Sequence, residues 1–107
     1  MAEVVLTAFF QRRFKELKKR HRSLDADVLA LVASLEERPV QGTPIGKDCY
    51  KIRLAITSKG SGKSGGGRVI TYVRLLKSKV YLLTIYDKTD QDTLTTKELL
   101  ELLKGVD

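Results

Sequence analysis

Residues 49–56 read Cys-Tyr-Lys-Ile-Arg-Leu-Ala-Ile. Side chains alternate between the faces of a strand, so Tyr50, Ile52, Leu54 and Ile56 share one face, and Cys49, Lys51, Arg53 and Ala55 share the other. One face is apolar and the other carries two cations. Residues 57–67 follow as a loop with five glycines. Residues 68–76 and 80–86 read as two further strands, joined by a tight turn near Lys77–Lys79. The three make an antiparallel meander. Residues 3–7 read as a first short strand, free to pair at one sheet edge.

Between that first strand and the meander the period changes from two to 3.6. Phe10, Phe14, Leu17 and His21 form one stripe of a helix over 8–21. Ser23 or Asp25 is a suitable N-cap for a second helix. Its apolar stripe is Val28, Leu31, Val32 and Leu35, and Pro39 marks its end. Residues 39–48, with Gly42, Pro44 and Gly46, read as a loop. At the other end, Thr95 and Glu98 form a capping box and Leu94 and Leu99 a hydrophobic staple. They open a helix over 95–104 that Gly105 closes. The expectation is an α+β fold, one domain over 1–107. An N-terminal strand and a helical hairpin pack on a three- to four-stranded antiparallel sheet, with a C-terminal helix. With the helices on one sheet face, the other faces solvent.

Composition narrows the class. Of 107 residues, 42% are apolar, 31% are charged and only 2 are proline, a composition that folds. No apolar run approaches the ~20 residues of a membrane helix, and the N-terminus lacks the pattern of a secretory signal. A single cysteine, Cys49, offers no internal disulfide, which points to a cytoplasmic protein. The net charge is +7, and it is concentrated. Residues 12–22 carry +6 and residues 46–79 carry +8. Two basic blocks on so small a chain are the footprint of a phosphate-rich partner, although an acidic protein would satisfy the same field.

The motif Gly60-Ser-Gly-Lys63-Ser64 imitates the end of a phosphate-binding loop. Thr57 stands where the full pattern needs glycine, and a β pattern follows in place of a helix, so nucleotide binding is not expected. The loop reads better as a mobile connection whose Lys59 and Lys63 follow a nucleic-acid backbone. On the open sheet face, Lys51 and Arg53 stand side by side. Arg68, Ile70, Tyr72 and Arg74 share a face of the next strand, and Tyr86 and Lys88 close the last. Cations and rings on one face suit single-stranded nucleic acid, with Lys59, Lys63, Tyr72 and Arg74 as binding residues. Conventional hydrolase residues are scarce. His21 reads as a helix-end or surface residue and Cys49 as an ordinary strand residue. Asp87, Asp90 and Asp92 read as a solvated turn, and no metal or cofactor is expected. RNA cleavage remains open to Lys, Arg and Tyr. The RNA 2′-OH can attack its own phosphate, clustered cations can stabilise the transition state, a lysine among cations can act as base, and tyrosine or lysine as acid.

The strand Cys49-Tyr50-Lys51-Ile52-Arg53-Leu54, the Gly67-Arg68-Val69-Ile70 strand start and Ile85-Tyr86-Asp87-Lys88 resemble the RelE/HigB-like toxins of bacterial toxin–antitoxin pairs. The helical hairpin, the Pro39…Gly42 loop and the closing helix match in order. The Lys-Ser-Gly-Gly-x-Arg-Val-Ile stretch points to the HigB-like branch. The resemblance implies a ribosome-dependent mRNA endonuclease of the bacterial cytoplasm. It would act in the ribosomal A site by 2′-OH attack without metal, restrained by a cognate antitoxin protein. It implies catalytic roles for Lys51, as base, and for Arg53 and Arg68, as phosphate stabilisers. RelE members place an arginine after the last strand and a tyrosine near the closing helix. Here Lys88 and Thr89 stand in the first region and no tyrosine follows Tyr86, so Tyr86 and Lys88 are the candidates to substitute. The other readings are a ParE-like gyrase inhibitor without enzymatic activity, and an RNA-binding module that does not cleave.

Overall fold

A computed structural model describes residues 1–91 and 93–106. In chain order it holds β1 (Glu3–Leu6), α1 (Ala8–Lys18), α2 (Leu24–Glu37), β2 (Thr43–Gly46) and β3 (Cys49–Leu54). Then come a 3₁₀ turn (Thr57–Lys59), the single-turn α3 (Gly62–Gly65), β4 (Gly67–Arg74), a 3₁₀ turn (Leu75–Lys77), β5 (Lys79–Asp87) and α4 (Thr96–Leu103). The expected α+β class and element order hold. The strands form one sheet in the order β1-β5-β4-β3-β2. The meander β3–β4–β5 is antiparallel, while β1 lies parallel to β5, so the sheet is mixed.

Two expectations about this sheet need correcting. Residues 43–46 are not loop; they pair with β3 as a fifth strand. Glycine and proline argue against a strand there, but this one is short and at an edge, where proline's missing N–H is tolerated. Lys47 and Asp48, both at positive φ, turn the chain back into β3, the geometry that two-residue hairpins favour. The second correction concerns the sheet face expected to be open.

Alternation divides the core in two. Ile52, Leu54, Val69, Val73, Val80, Leu82 and Ile85 pack with Phe10, Leu17, Leu24, Val28, Leu31 and Leu35 of α1 and α2. Thr7 starts α1, accepting from the Phe10 N–H (3.2 Å) and donating to the Leu82 carbonyl (2.8 Å), which pins the helix to β5. On the opposite face Cys49, Ile70, Tyr81, Leu83 and Tyr86 form a second cluster with Leu99. α4 covers much of this face, held at its start by the expected capping box of Thr95 and Glu98. Its Leu99, Leu102 and Leu103 make it amphipathic, and an amphipathic helix buries its apolar side.

Two glycines permit close backbone approach to β3. Gly42 (φ +90°) lies against the Lys51 carbonyl, and Gly66 against the Leu54 carbonyl. A Cβ on Gly66 would collide with that carbonyl and crowd the Ile56 nitrogen and the Gly62 carbonyl, at 3.0 and 3.1 Å. Gly66→Ala is therefore expected to cost about 1–3 kcal/mol through overpacking. The thermal midpoint should fall by several degrees or more, and an unchanged midpoint would show that the approach is not tight.

Candidate nucleic-acid interface

Register aligns the sequence-predicted residues. Arg53, Arg68 and Tyr86 lie in one cross-strand row, and Lys51 and Ile70 lie in the next. Directly paired residues project from the same face. Lys88 follows one step beyond the ladder, where its N–H donates to the Gly66 carbonyl at 3.0 Å. Lys51, Arg53, Arg68 and Tyr86 therefore share a face of the sheet, with Tyr86 packed in the second apolar cluster and Lys88 just past the end of β5.

They are not equally accessible. Arg53 and Lys88 are exposed and Lys51 is half-buried. Arg68, expected on an open face, is 6% exposed. Its guanidinium donates to the carbonyls of Lys63 (3.1 Å), Ser64 (3.2 Å) and Gly67 (3.0 Å). It ties α3 to the start of β4, because carbonyls left by a one-turn helix need donors and the guanidinium supplies several. Arg68→Ala is then not neutral to the fold. We expect a loss of about 1–3 kcal/mol from the unpaired carbonyls, with faster amide exchange over 62–66. Unchanged stability would return Arg68 to a purely electrostatic part. Tyr86 is 2% exposed and packs in the second apolar cluster.

The loop lysines separate as well. Lys63 is exposed, but Lys59 is not a free cation of a mobile loop: its Nζ lies 2.7 Å from Asp87 Oδ1. The loop itself is ordered by side chains. Asp27 accepts from the Thr57 N–H (3.0 Å) and hydroxyl (2.6 Å), and the Ser58 N–H donates to Ser23 Oγ (2.8 Å). Burial pushes the Asp27 carboxyl up, but the bonds it accepts from Thr57 and from the Ser23 hydroxyl (2.7 Å) outweigh it and its pKa falls below the ordinary value.

Tyr72 and Arg74 lie toward the opposite end of the sheet. Tyr72 is half-buried and stacks on Tyr81, with centroids 5.8 Å apart. A shallow pocket there is lined by Lys47, Asp48, Tyr72, Arg74, Leu103 and Val106. The ring expected to meet a base is already engaged by a ring of its own sheet.

What gathers instead is a groove of about 590 Å³ between α2 and the β3 edge. Lys51, Arg53, Lys63 and Arg38 line it, with Ser34, Gln41, Thr43, Thr57 and Asp27. Four cations meet one carboxylate, whose oxygens accept from Thr57 and Ser23. The α2 wall was not anticipated, although a signal was present. Asp27, Ser34 and Arg38 fall at i, i+7 and i+11, a polar stripe beside the apolar one.

The remaining sequence candidates are structural. Cys49 is 1% exposed, and burial, helped by Asp48 and opposed by Lys47, pushes its thiol up to about 11. That disfavours a thiolate nucleophile. Asp87 is not in a solvated turn; it is 1% exposed and His21 Nε2 stands 2.9 Å from its Oδ2. Asp90 pairs with Arg20, and Asp92 lies outside the described residues.

Residues 6–105 match the family model described as the RelE toxin of the RelE / RelB toxin-antitoxin system. The fold is similar to that of the toxin–antitoxin complex RelBE of E. coli, with a TM-score of 0.61 and 17% identity over 81% of this chain and 96% of that one. It is also similar to a free, doubly arginine-substituted E. coli RelE (TM-score 0.61, 21% identity, all of both chains). A third match is the isolated E. coli RelE toxin (TM-score 0.57, 18% identity, all of both chains). The matching model is that of RelE; the HigB-like branch draws no support from it.

Proposed function

This chain belongs to the RelE toxin family, and from that premise we propose that it cleaves mRNA on the ribosome and is held in check by a cognate antitoxin protein. The groove that joins Lys51, Arg53, Lys63 and Arg38 carries this reading. A chain of phosphates passing there meets cations from β3, from the β3–β4 connection and from the end of α2, with the one nearby carboxylate taken up by hydrogen bonds. Such a site binds the backbone whatever the base sequence.

The chemistry needs little more. Lys51 takes the proton from a 2′-OH, the oxygen attacks the adjacent phosphorus, and the P–O5′ bond breaks. The products are a 2′,3′-cyclic phosphate and a 5′-hydroxyl end. Arg53 neutralises charge as it grows on the equatorial oxygens. Arg68 supports this from behind, by holding the backbone that presents Lys63. Lys88, exposed just past the end of β5, is the acid we assign to the 5′-oxygen, since Tyr86 is packed in the core. The activated group is the RNA's own hydroxyl, so no protein nucleophile enters the reaction.

The test is cleavage of a defined mRNA by the purified protein, with and without translating ribosomes. We expect cuts only with ribosomes, within the A-site codon, ending in 2′,3′-cyclic phosphate. RNA retention without cleavage would make the chain a binding module. Neither binding nor cleavage would redirect attention to gyrase and a supercoiling assay.

A further inference from the structure

Asp87 is the least expected charge in the molecule, a buried carboxylate in a chain of net charge +7. Three separate segments converge on it. Its Oδ1 accepts from Lys59 Nζ (2.7 Å), the Thr89 N–H (3.0 Å) and the Thr89 hydroxyl (2.8 Å). Its Oδ2 accepts from His21 Nε2 (2.9 Å) at the end of α1, with Arg20 at 3.6 Å. None of these side chains lines the groove.

We propose that Asp87 is a positioning residue for RNA, holding the 57–66 segment through Lys59 so that Lys63 is presented to the groove. The inference rests on the groove's being the RNA site. The segment has fixings on both sides of Lys63. Thr57 and Ser58 are bonded to Asp27 and Ser23 of the α2 start, and the carbonyls of Lys63 and Ser64 are held by Arg68. Between these, the only side-chain tether among the described residues is Lys59 to Asp87. The loop thus carries two lysines with different duties. One is neutralised and anchored; the other is exposed and makes no ion pair among the described residues. Fixing the loop before RNA arrives lowers the ordering cost that binding would otherwise carry.

The experiment measures affinity for a fluorescein-labelled single-stranded RNA by anisotropy, together with amide exchange of the free protein. Variants are Asp87→Asn and Lys59→Met, each alone and each combined with Lys63→Ala or Arg38→Ala. Lys59→Met carries the test alone should Asp87→Asn fail to fold. We expect either clamp variant to weaken binding roughly fivefold, to lose little more with Lys63→Ala, and to add fully with Arg38→Ala, as coupled and independent sites do. Exchange should quicken over 57–66 more than over β3–β5, whose amides follow the global stability of each variant. A merely structural role would lower affinity equally in both combinations, and that result overturns the proposal, as does wild-type affinity in both clamp variants. If Lys51→Ala and Arg53→Ala also bind as wild type, the groove reading has failed, and this assignment falls with it.

Discussion

Replacing Lys51 and Arg53 together by alanine is expected to reduce ribosome-dependent mRNA cleavage by roughly 10³-fold or more while leaving the fold in place. A single preorganised charge aimed at developing negative charge is worth about 10²–10³ in rate. Removing two that act on one phosphate does not simply multiply, so the double variant should be little worse than the worse single one if they work as a unit. Stability should hardly change. Arg53 is exposed, Lys51 half-buried, and neither makes an ion pair among the described residues. By register they alternate with Ile52 and Leu54, which carry the core contacts. The check is single-turnover cleavage on programmed ribosomes beside a thermal melt. Full cleavage by a folded double variant would remove the base and the phosphate stabiliser from this site. A large fall in melting midpoint would mean that the pair supports the sheet instead. Lys51→Arg is informative as a companion: a guanidinium keeps the charge but does not give up its proton. It should keep RNA affinity and lose the rate if Lys51 is the base.

The elements that sequence made legible are those written in local periodicity. The alternation of 49–56 marks β3 and assigns its faces, and the capping box at Thr95 and Glu98 places the start of α4 to within one residue. What local pattern did not carry was what lies on top of a face. Arg68 sits on the side that alternation gives it, yet α3, the single turn Gly62-Lys63-Ser64-Gly65, folds back over it, and no periodicity announces a one-turn helix. β2 was missed because its residues favour turns; pairing with β3 overrides that preference. The His21–Asp87 and Lys59–Asp87 contacts join positions 66 and 28 apart in sequence. Each residue had a plausible solvated reading by itself. Only the fold shows that one carboxylate collects them. The groove lies between these cases: its strand wall was legible from the cations of β3, and its helix wall only from a polar stripe on α2 that composition alone does not single out.

Asp87→Asn is expected to lower stability at neutral pH by about 3–5 kcal/mol, the usual result of removing one partner of a buried pair, and to flatten the acid limb of the stability curve. Burial opposes ionisation of Asp87, but the hydrogen bonds from Lys59, from the Thr89 amide and hydroxyl, and from His21 more than compensate. They hold its pKa well below the usual carboxylate range. The folded value thus lies below the unfolded one of about 3.9. A group depressed in this way contributes stability that is fully present above its unfolded pKa, and that is lost as pH falls through the folded value. Asp27 is depressed too, against its own burial, by Thr57 and Ser23, and Glu98 by the bonds to Thr95. The losses therefore begin as pH falls through about 4.3 for Glu98 and about 3.9 for the two aspartates. The chain's positive charge grows in the same range and destabilises wild type and variant alike. The difference between them isolates Asp87. Urea midpoints at pH 7, 4, 3 and 2 should show a wide gap at pH 7 that narrows steadily below pH 4. Parallel curves over the whole range would show that the carboxylate is as easily protonated folded as unfolded, and that His21 and Lys59 do not stabilise its charge.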